Sequence, residues 1–162
     1  YFGVSLPRSV LLEFSPIVQA ISEADGGELK PEVIWQAFVN EFIDVKGPYR
    51  LLDYQIETEG NDRQSCRAKI QVAVNEVDIC GVGSGPIDAF INAMVETLNE
   101  PLNVAEYQEY GLKEGSEAQA ICILAITDEA GNKCYGVGIS QNTTTAAFKS
   151  IISAINRKWR KL

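Results

Sequence analysis

Histidine is absent from the 162 residues. Its absence removes the commonest general base and the commonest nitrogen ligand, so neither a His-based catalytic triad nor a zinc site built on histidine can exist in this stretch. Basic residues are scarce as well. Fourteen Lys and Arg stand against 22 Asp and Glu, for a formal net charge of −8. The one basic run, Arg157 to Lys161, is expected to be a solvated helix end. Nucleic acid is therefore not an expected partner. Long apolar runs are missing too, and Tyr1 to Leu12 has neither the charged start nor the apolar centre of a signal peptide. Neither secretion nor membrane insertion gains support, and a cytoplasmic location is expected. A chain opening on Tyr1 is expected to be a piece of something longer. No CxxC pair occurs, since Cys66, Cys80, Cys122 and Cys134 are far apart. They are expected to be buried, reduced thiols, two disulfides being the alternative.

The length suits one domain, or one domain with a small helical appendage, and is enough to bury a core. Residues 8–22 place Val10, Leu11, Phe14, Ile17, Val18 and Ile21 at helical spacing, with Pro16 marking a kink or a helix start. Asp25-Gly26-Gly27 is a turn. A second helix is predicted to begin at Pro31 and to carry Val33, Ile34, Trp35, Ala37, Phe38, Phe42 and Ile43. The stretch Asp44 to Pro48 breaks that pattern and separates a helical subdomain, residues 1–46, from the main body, residues 47–162.

From Tyr49 the texture is that of strands. YRLLDYQIET, SCRAKIQVAVN and VDICGVG follow one another, with breaks at Asn61-Asp62-Arg63 and Asn75-Glu76 and with Ala68, Ile70, Val72 and Val74 assigned to one face. A helix opens at Gly85-Pro86 and carries Ala89, Phe90, Ala93, Met94, Thr97 and Leu98 on its apolar stripe. The second half repeats the order. LNVAEYQEYGL, AQAICILAITD and KCYGVGIS are predicted strands, Asp128 to Asn132 is a hairpin turn, and Thr143 to Leu162 is a helix with Ala147, Phe148, Ile151, Ile152, Ala154, Ile155 and Trp159 on its stripe. The expected fold is α+β: two βββα units, residues 47–100 and 101–162, behind a small helical subdomain.

The tripeptide Gly-Val-Gly recurs at the same place in each unit, as Gly81 to Gly83 and Gly136 to Gly138. Each copy ends a strand and leads into a helix, whose first N–H groups lack internal partners and attract anions. At the first corner Gly81, Gly83 and Gly85 remove side chains, which lets another backbone or a ligand approach closely. The spacing fits neither a Walker A loop nor a dinucleotide fingerprint. At the second corner, Ser140 to Thr145 supplies hydroxyls and an amide; one Ser or Thr is expected to cap the helix, leaving surplus hydroxyls for a ligand or for one another. Glu106, Glu109, Glu114 and Glu117 form a solvated face, and no acid/base pair is nominated. Tyr107 and Tyr110 fall on opposite faces of one strand. Neither a metal nor a catalytic site is expected.

The segments LPRSVLLEFSPIVQAI, PEVIWQAF, GVGSGPIDAF and above all YGVGISQNTTTAAFKSIISAINR resemble the C-terminal part of 2-isopropylmalate synthase, and the resemblance covers essentially the whole chain. It implies a leucine-binding regulatory domain whose two βββα units lie about a pseudo-two-fold axis and which dimerises. The family's catalytic TIM barrel, with its divalent metal, is not among these residues, so no cofactor is expected here. Citramalate and homocitrate-type synthases share this domain, so an isoleucine or other amino-acid sensor is an alternative. A dimerisation module without effector binding is another.

By the same resemblance the effector pocket uses Gly83 and Gly85 with Ile87 and Asp88, the next strand around Val104 and Tyr107, and the loop near Ala118. Asp88 departs from the small residue often found in the family, which bears on effector preference. The internal repeat adds Ile139, Ser140, Thr143 and Thr144. Helix N–H groups suit the effector's carboxylate, backbone carbonyls or Asp88 its ammonium, and Ile87, Val104 or Ala118 its side chain. Two expectations accompany this site. Gly83→Asp should abolish effector binding and leave the fold intact. The apolar surplus of Ile121, Ile123 and Ile126 with the two helices should be covered by a second copy of the chain.

Overall fold

The computed structural model describes residues 5–43, 45–112 and 118–160. Helix α1, Arg8–Asp25, runs through Pro16 and stops at Gly26, whose left-handed φ of 81° lets its N–H bond the Ser22 carbonyl. Helix α2, Pro31–Phe38, starts on a proline whose missing N–H costs nothing at that position. It continues into a π-helical turn, Val39–Ile43, which the spacing of apolar residues had not disclosed. Phe42 lies in that turn and is buried with Phe14 and Phe38, the three rings packing on one another.

Strands β1 (Tyr49–Thr58), β2 (Gln64–Val72) and β3 (Asn75–Gly83) form one antiparallel sheet, followed by helix α3, Pro86–Leu98. Strands β4 (Asn103–Leu112), β5 (Gln119–Thr127) and β6 (Lys133–Ser140) form the second, followed by helix α4, Thr143–Arg160. The expected α+β fold of two βββα units is what forms. Even the irregularities repeat, with a register shift between Leu51 and Asp53 in β1 and another between Val104 and Glu106 in β4.

The main core lies between the inner faces of both sheets and holds α3 and α4. A second core packs α1, α2 and the π-turn on the outer face of the second sheet, where Ile121, Ile123, Tyr135 and Val137 are buried. This explains the apolar run of β5, in which every residue from Ala120 to Ile126 is buried because both faces are covered. The apolar surplus assigned to a dimer contact is thus taken up within the chain, by the helical subdomain on Ile121 and Ile123 and by the main core on Ile126.

Three other expectations change. The β2–β3 hairpin turns at Ala73-Val74 rather than at Asn75-Glu76, because Ala73 takes a positive φ of 56°; Val74, placed on the buried face, is 91 % exposed at the tip. Trp159 leaves the α4 stripe and is 56 % exposed. Arg157, expected in solvent, is 1 % exposed. Its guanidinium donates to Glu13 Oε2 at 3.1 Å, Glu41 Oε1 at 2.9 Å and the Tyr135 carbonyl at 2.8 Å, and stands 4.2 Å over the Phe42 ring. A charge can be buried on these terms because carboxylates and a carbonyl replace its water. Helix α4 is thereby tied to α1 and to the π-turn.

No disulfide forms: the four cysteines are free, with Cys80 exposed and the other three buried as expected. Among the described residues no helix is long and apolar enough to cross a membrane, and no cluster of potential metal ligands occurs.

Candidate functional site

Strand register sets the true equivalence of the two corners. Gly81 lies opposite Cys66 and Gly138 opposite Cys122, so Gly81 matches Gly138, and Gly83 matches Ser140. The two Gly-Val-Gly copies are two residues out of phase. The period of two in a strand keeps all four glycines on the helix-facing side.

That side is where the helices approach. A Cβ on Gly81 would lie 2.3 Å from the Ala89 carbonyl oxygen, and one on Gly138 would lie 2.0 Å from that of Ala146. A Cβ on Gly83 would meet the Ala89 nitrogen and Asp88 Oδ2 alike, each at 2.6 Å. Close approach at these glycines therefore serves helix packing. The expectation that Gly83→Asp would spare the fold is overturned, since an aspartate there collides with α3. Gly85 differs: nothing lies within 4 Å of its would-be Cβ.

At the first corner Gly85 is the N-cap of α3, with no side-chain cap. Asp88, in the first turn, returns its Oδ2 to the Ser84 N–H at 3.0 Å and to the Ser84 hydroxyl at 3.4 Å. The contact falls one residue short of a capping box, whose acceptor would take the N-cap N–H of Gly85. No side chain caps the first N–H groups of α3. Beside this helix start lies a groove of about 550 Å³ whose walls include Gly85, Ile87, Asp88, Ile91, Leu102 and Val104. Four of the expected residues, Gly85, Ile87, Asp88 and Val104, therefore meet. Ile91 and Leu102 supply apolar wall that the sequence reading missed, although the helical and strand spacings from Ile87 and Val104 point to them.

The second corner is capped by a side chain. Asn142, not a Ser or Thr, caps α4 by accepting from the Thr145 N–H at 3.1 Å, and the Ser140 hydroxyl accepts from the Asn142 N–H at 3.2 Å. The Tyr54 hydroxyl of β1 sits 2.6 Å from Thr145 Oγ1 and 3.4 Å from Asn142 Oδ1. Thr143 is exposed and Thr144 half-buried, while Ile139 borders a different cavity beside Gly138. The corner's polar groups are largely spent on the protein itself.

Tyr107 is the counterpart of Tyr54: Tyr54 pairs with Ala68 in β2, and Tyr107 pairs with Leu124 at the matching place in β5. It is 42 % exposed and its hydroxyl donates to Glu109. Partial burial and then that contact hold its phenol above the ordinary range. Ala118 is exposed just before β5. Neither borders the α3 groove. Glu106 is not a bare solvated carboxylate, since Tyr135 Oη and Lys133 Nζ donate to it, the first contact doing most to lower its pKa. Glu114 and Glu117 lie outside the described residues.

The sequence of residues 28–159 matches the family described as the LeuA allosteric (dimerisation) domain. The chain belongs to that family. It is 35 % identical over 156 residues to 2-isopropylmalate synthase of Thermobifida fusca, covering 96 % of the chain and 27 % of the relative. It is 31 % identical to the synthase of Rhodospirillum rubrum and 34 % to that of Mycobacterium leprae, again over 96 % of the chain and 28 % and 26 % of those proteins. The chain thus spans less than a third of the length of these relatives. These 162 residues are a LeuA regulatory domain and hold no synthase catalytic domain.

Proposed function

We propose that this LeuA domain senses leucine and mediates feedback inhibition of a 2-isopropylmalate synthase in the cytoplasm. In that protein residues 1–46 would join the catalytic barrel to the sensor at 47–162. The observation that carries the reading is the inequality of the two corners. At the start of α4 Asn142 takes the Thr145 N–H and Tyr54 packs on Thr145, whereas no side chain caps the start of α3, which lies beside an apolar wall. A free amino acid matches that pattern. Its carboxylate meets the helix N-terminus, which carries partial positive charge. Its ammonium meets Asp88, whose second oxygen has no partner among the described residues. Its branched side chain meets Ile87, Ile91, Leu102 and Val104.

Leucine binding is accompanied by homodimerisation in this proposal. Val104 and Tyr107 are 37 % and 42 % exposed on β4, while their counterparts Leu51 and Tyr54 pack against the main core. A second copy of the chain would cover the β4 face and roof the groove. Inhibition then requires that leucine prefer one conformation of the full enzyme, and the shift cannot exceed that difference in affinity.

Calorimetric titration with leucine, isoleucine, valine and lysine tests the reading. Saturable heat with leucine, weaker heat with the other branched chains and none with lysine is expected. Absence of heat with all four leaves only a dimerisation module, and preference for isoleucine indicates a different synthase.

A further inference from the structure

The repeat that relates the two corners also relates two grooves. The α3 groove includes Asn92 of α3 and Asn103 of β4. Its counterpart lies between α4 and the start of β1, has a volume of about 650 Å³, and carries Lys149 and Arg50 at the matching positions. The match follows from register. Asn92 and Lys149 each stand seven residues after the N-caps Gly85 and Asn142, and Arg50 and Asn103 each precede the register shift of their strand by one residue.

Lys46 from the segment leading into β1 adds a third cation. No acidic side chain lines this groove among the described residues, in a chain of net charge −8. No described carboxylate forms an ion pair with Lys46, Arg50 or Lys149. Below them the wall is apolar, from Ile43, Leu51, Ile139 and Ile152. The polar floor is already satisfied, because Asn156 bonds the Tyr49 N–H and carbonyl and the Val45 carbonyl, and Ser153 donates to the Ile43 carbonyl.

We infer that this second groove binds a small dianion bearing a short apolar branch, such as a branched dicarboxylate, at a site separate from the α3 groove. The chemistry differs between the grooves for a structural reason. No residue of the α4 start, Asn142 to Thr145, lines this groove, so an anion here is held by side-chain cations rather than by backbone N–H groups. Three cations around one cavity favour two negative charges over one, and the isoleucine wall favours a ligand that is not wholly polar.

Titration calorimetry at low ionic strength on the 162-residue chain, with isopropylmalonate, malonate, phosphate and leucine as probes, tests this. Isopropylmalonate should bind at least several-fold tighter than malonate or phosphate, and added salt should weaken it, since the cations are exposed and screened. Arg50→Gln with Lys149→Gln should weaken it at least tenfold, leaving the melting temperature and the leucine isotherm unchanged. Any of three results overturns the inference: no heat with isopropylmalonate, equal affinity for phosphate, or unaltered binding in the double variant. Competition between isopropylmalonate and leucine overturns the separateness of the sites. Heat with isopropylmalonate but none with leucine would reject the leucine proposal and leave this one standing.

Discussion

Phe90 of α3 and Phe148 of α4 stack with ring centroids 4.2 Å apart and planes 10° from parallel. Both are fully buried, and Tyr54 meets the edge of Phe148 at 4.7 Å. The contact joins the helix of one repeat to the helix of the other, so the two units share one core. Phe148→Ala should cost about 3–5 kcal/mol, the range for truncating a buried aromatic. Combined with Phe90→Ala it should show a coupling of about 0.5–1.5 kcal/mol in a double-mutant cycle measured by denaturant unfolding. Strict additivity would mean that the stack contributes nothing beyond its separate burials.

Glycine at Gly138 is required by the approach of α4, and Gly85 is not so constrained. Gly138→Ala should lower the melting temperature by several degrees, as overpacking costs of about 1–3 kcal/mol do in a chain of this size. Gly85→Ala should change it little, because its φ of −159° suits any residue and no atom blocks a Cβ. Calorimetric scans of both variants make the comparison, and equal losses would refute the packing role.

Arg157 is the bond between α4 and the helical subdomain. Arg157→Met removes the cation from between Glu13 and Glu41 and should destabilise the chain by about 3 kcal/mol, toward the lower end for a broken buried pair since both carboxylates keep some water. Amide exchange should quicken in α1 and the π-turn more than in α3. Uniform quickening would show that Arg157 supports the whole fold rather than that junction.

Burial pushes the Cys66 and Cys122 thiols up to about 11 from an ordinary value of 9.0. A raised pKa means that the folded state holds the proton more tightly than the unfolded state. The associated stability is therefore complete below pH 9 and is lost as pH climbs from about 9 to 11. At pH 8 Cys80, which is exposed, should react fast with a thiol reagent, and Cys66 and Cys122 only on unfolding. Three equally fast thiols would contradict this.

The repeat and every β-strand and α-helix were legible because period and punctuation encode them: alternation through YRLLDYQIET and SCRAKIQV, proline at Pro31 and Pro86, and Gly131 in a hairpin turn. Apart from the local turn at Ala73-Val74 and the π-turn, what was not legible depends on partners distant in sequence. Arg157 is read as solvated until Glu13 and Glu41 are brought to it, and Trp159 as apolar stripe until α4 outruns the core. The phase of the Gly-Val-Gly copies needs the pairing with Cys66 and Cys122. At the candidate site, Gly85, Ile87, Asp88 and Val104 converge as the family resemblance implied, whereas Gly83, Tyr107 and Ala118 do not line the groove. The contact of Tyr54 with Thr145 at the other corner, 91 residues away in the chain, has no local signal.

Asp88 offers a further handle on the proposed effector site. Asp88→Asn keeps an oxygen for Ser84 and removes the charge offered to an ammonium. Leucine affinity should fall about tenfold, the order expected for losing one charge-assisted contact. An unchanged isotherm would assign the ammonium to backbone carbonyls instead.

The most direct measurement is a crystal structure of this chain with leucine. Electron density for leucine should appear at the start of α3, the carboxylate within hydrogen-bond distance of the Ile87 or Asp88 N–H and the side chain against Ile91, Leu102 and Val104. Density at the start of α4 instead, or an empty α3 groove at saturating leucine, would contradict it.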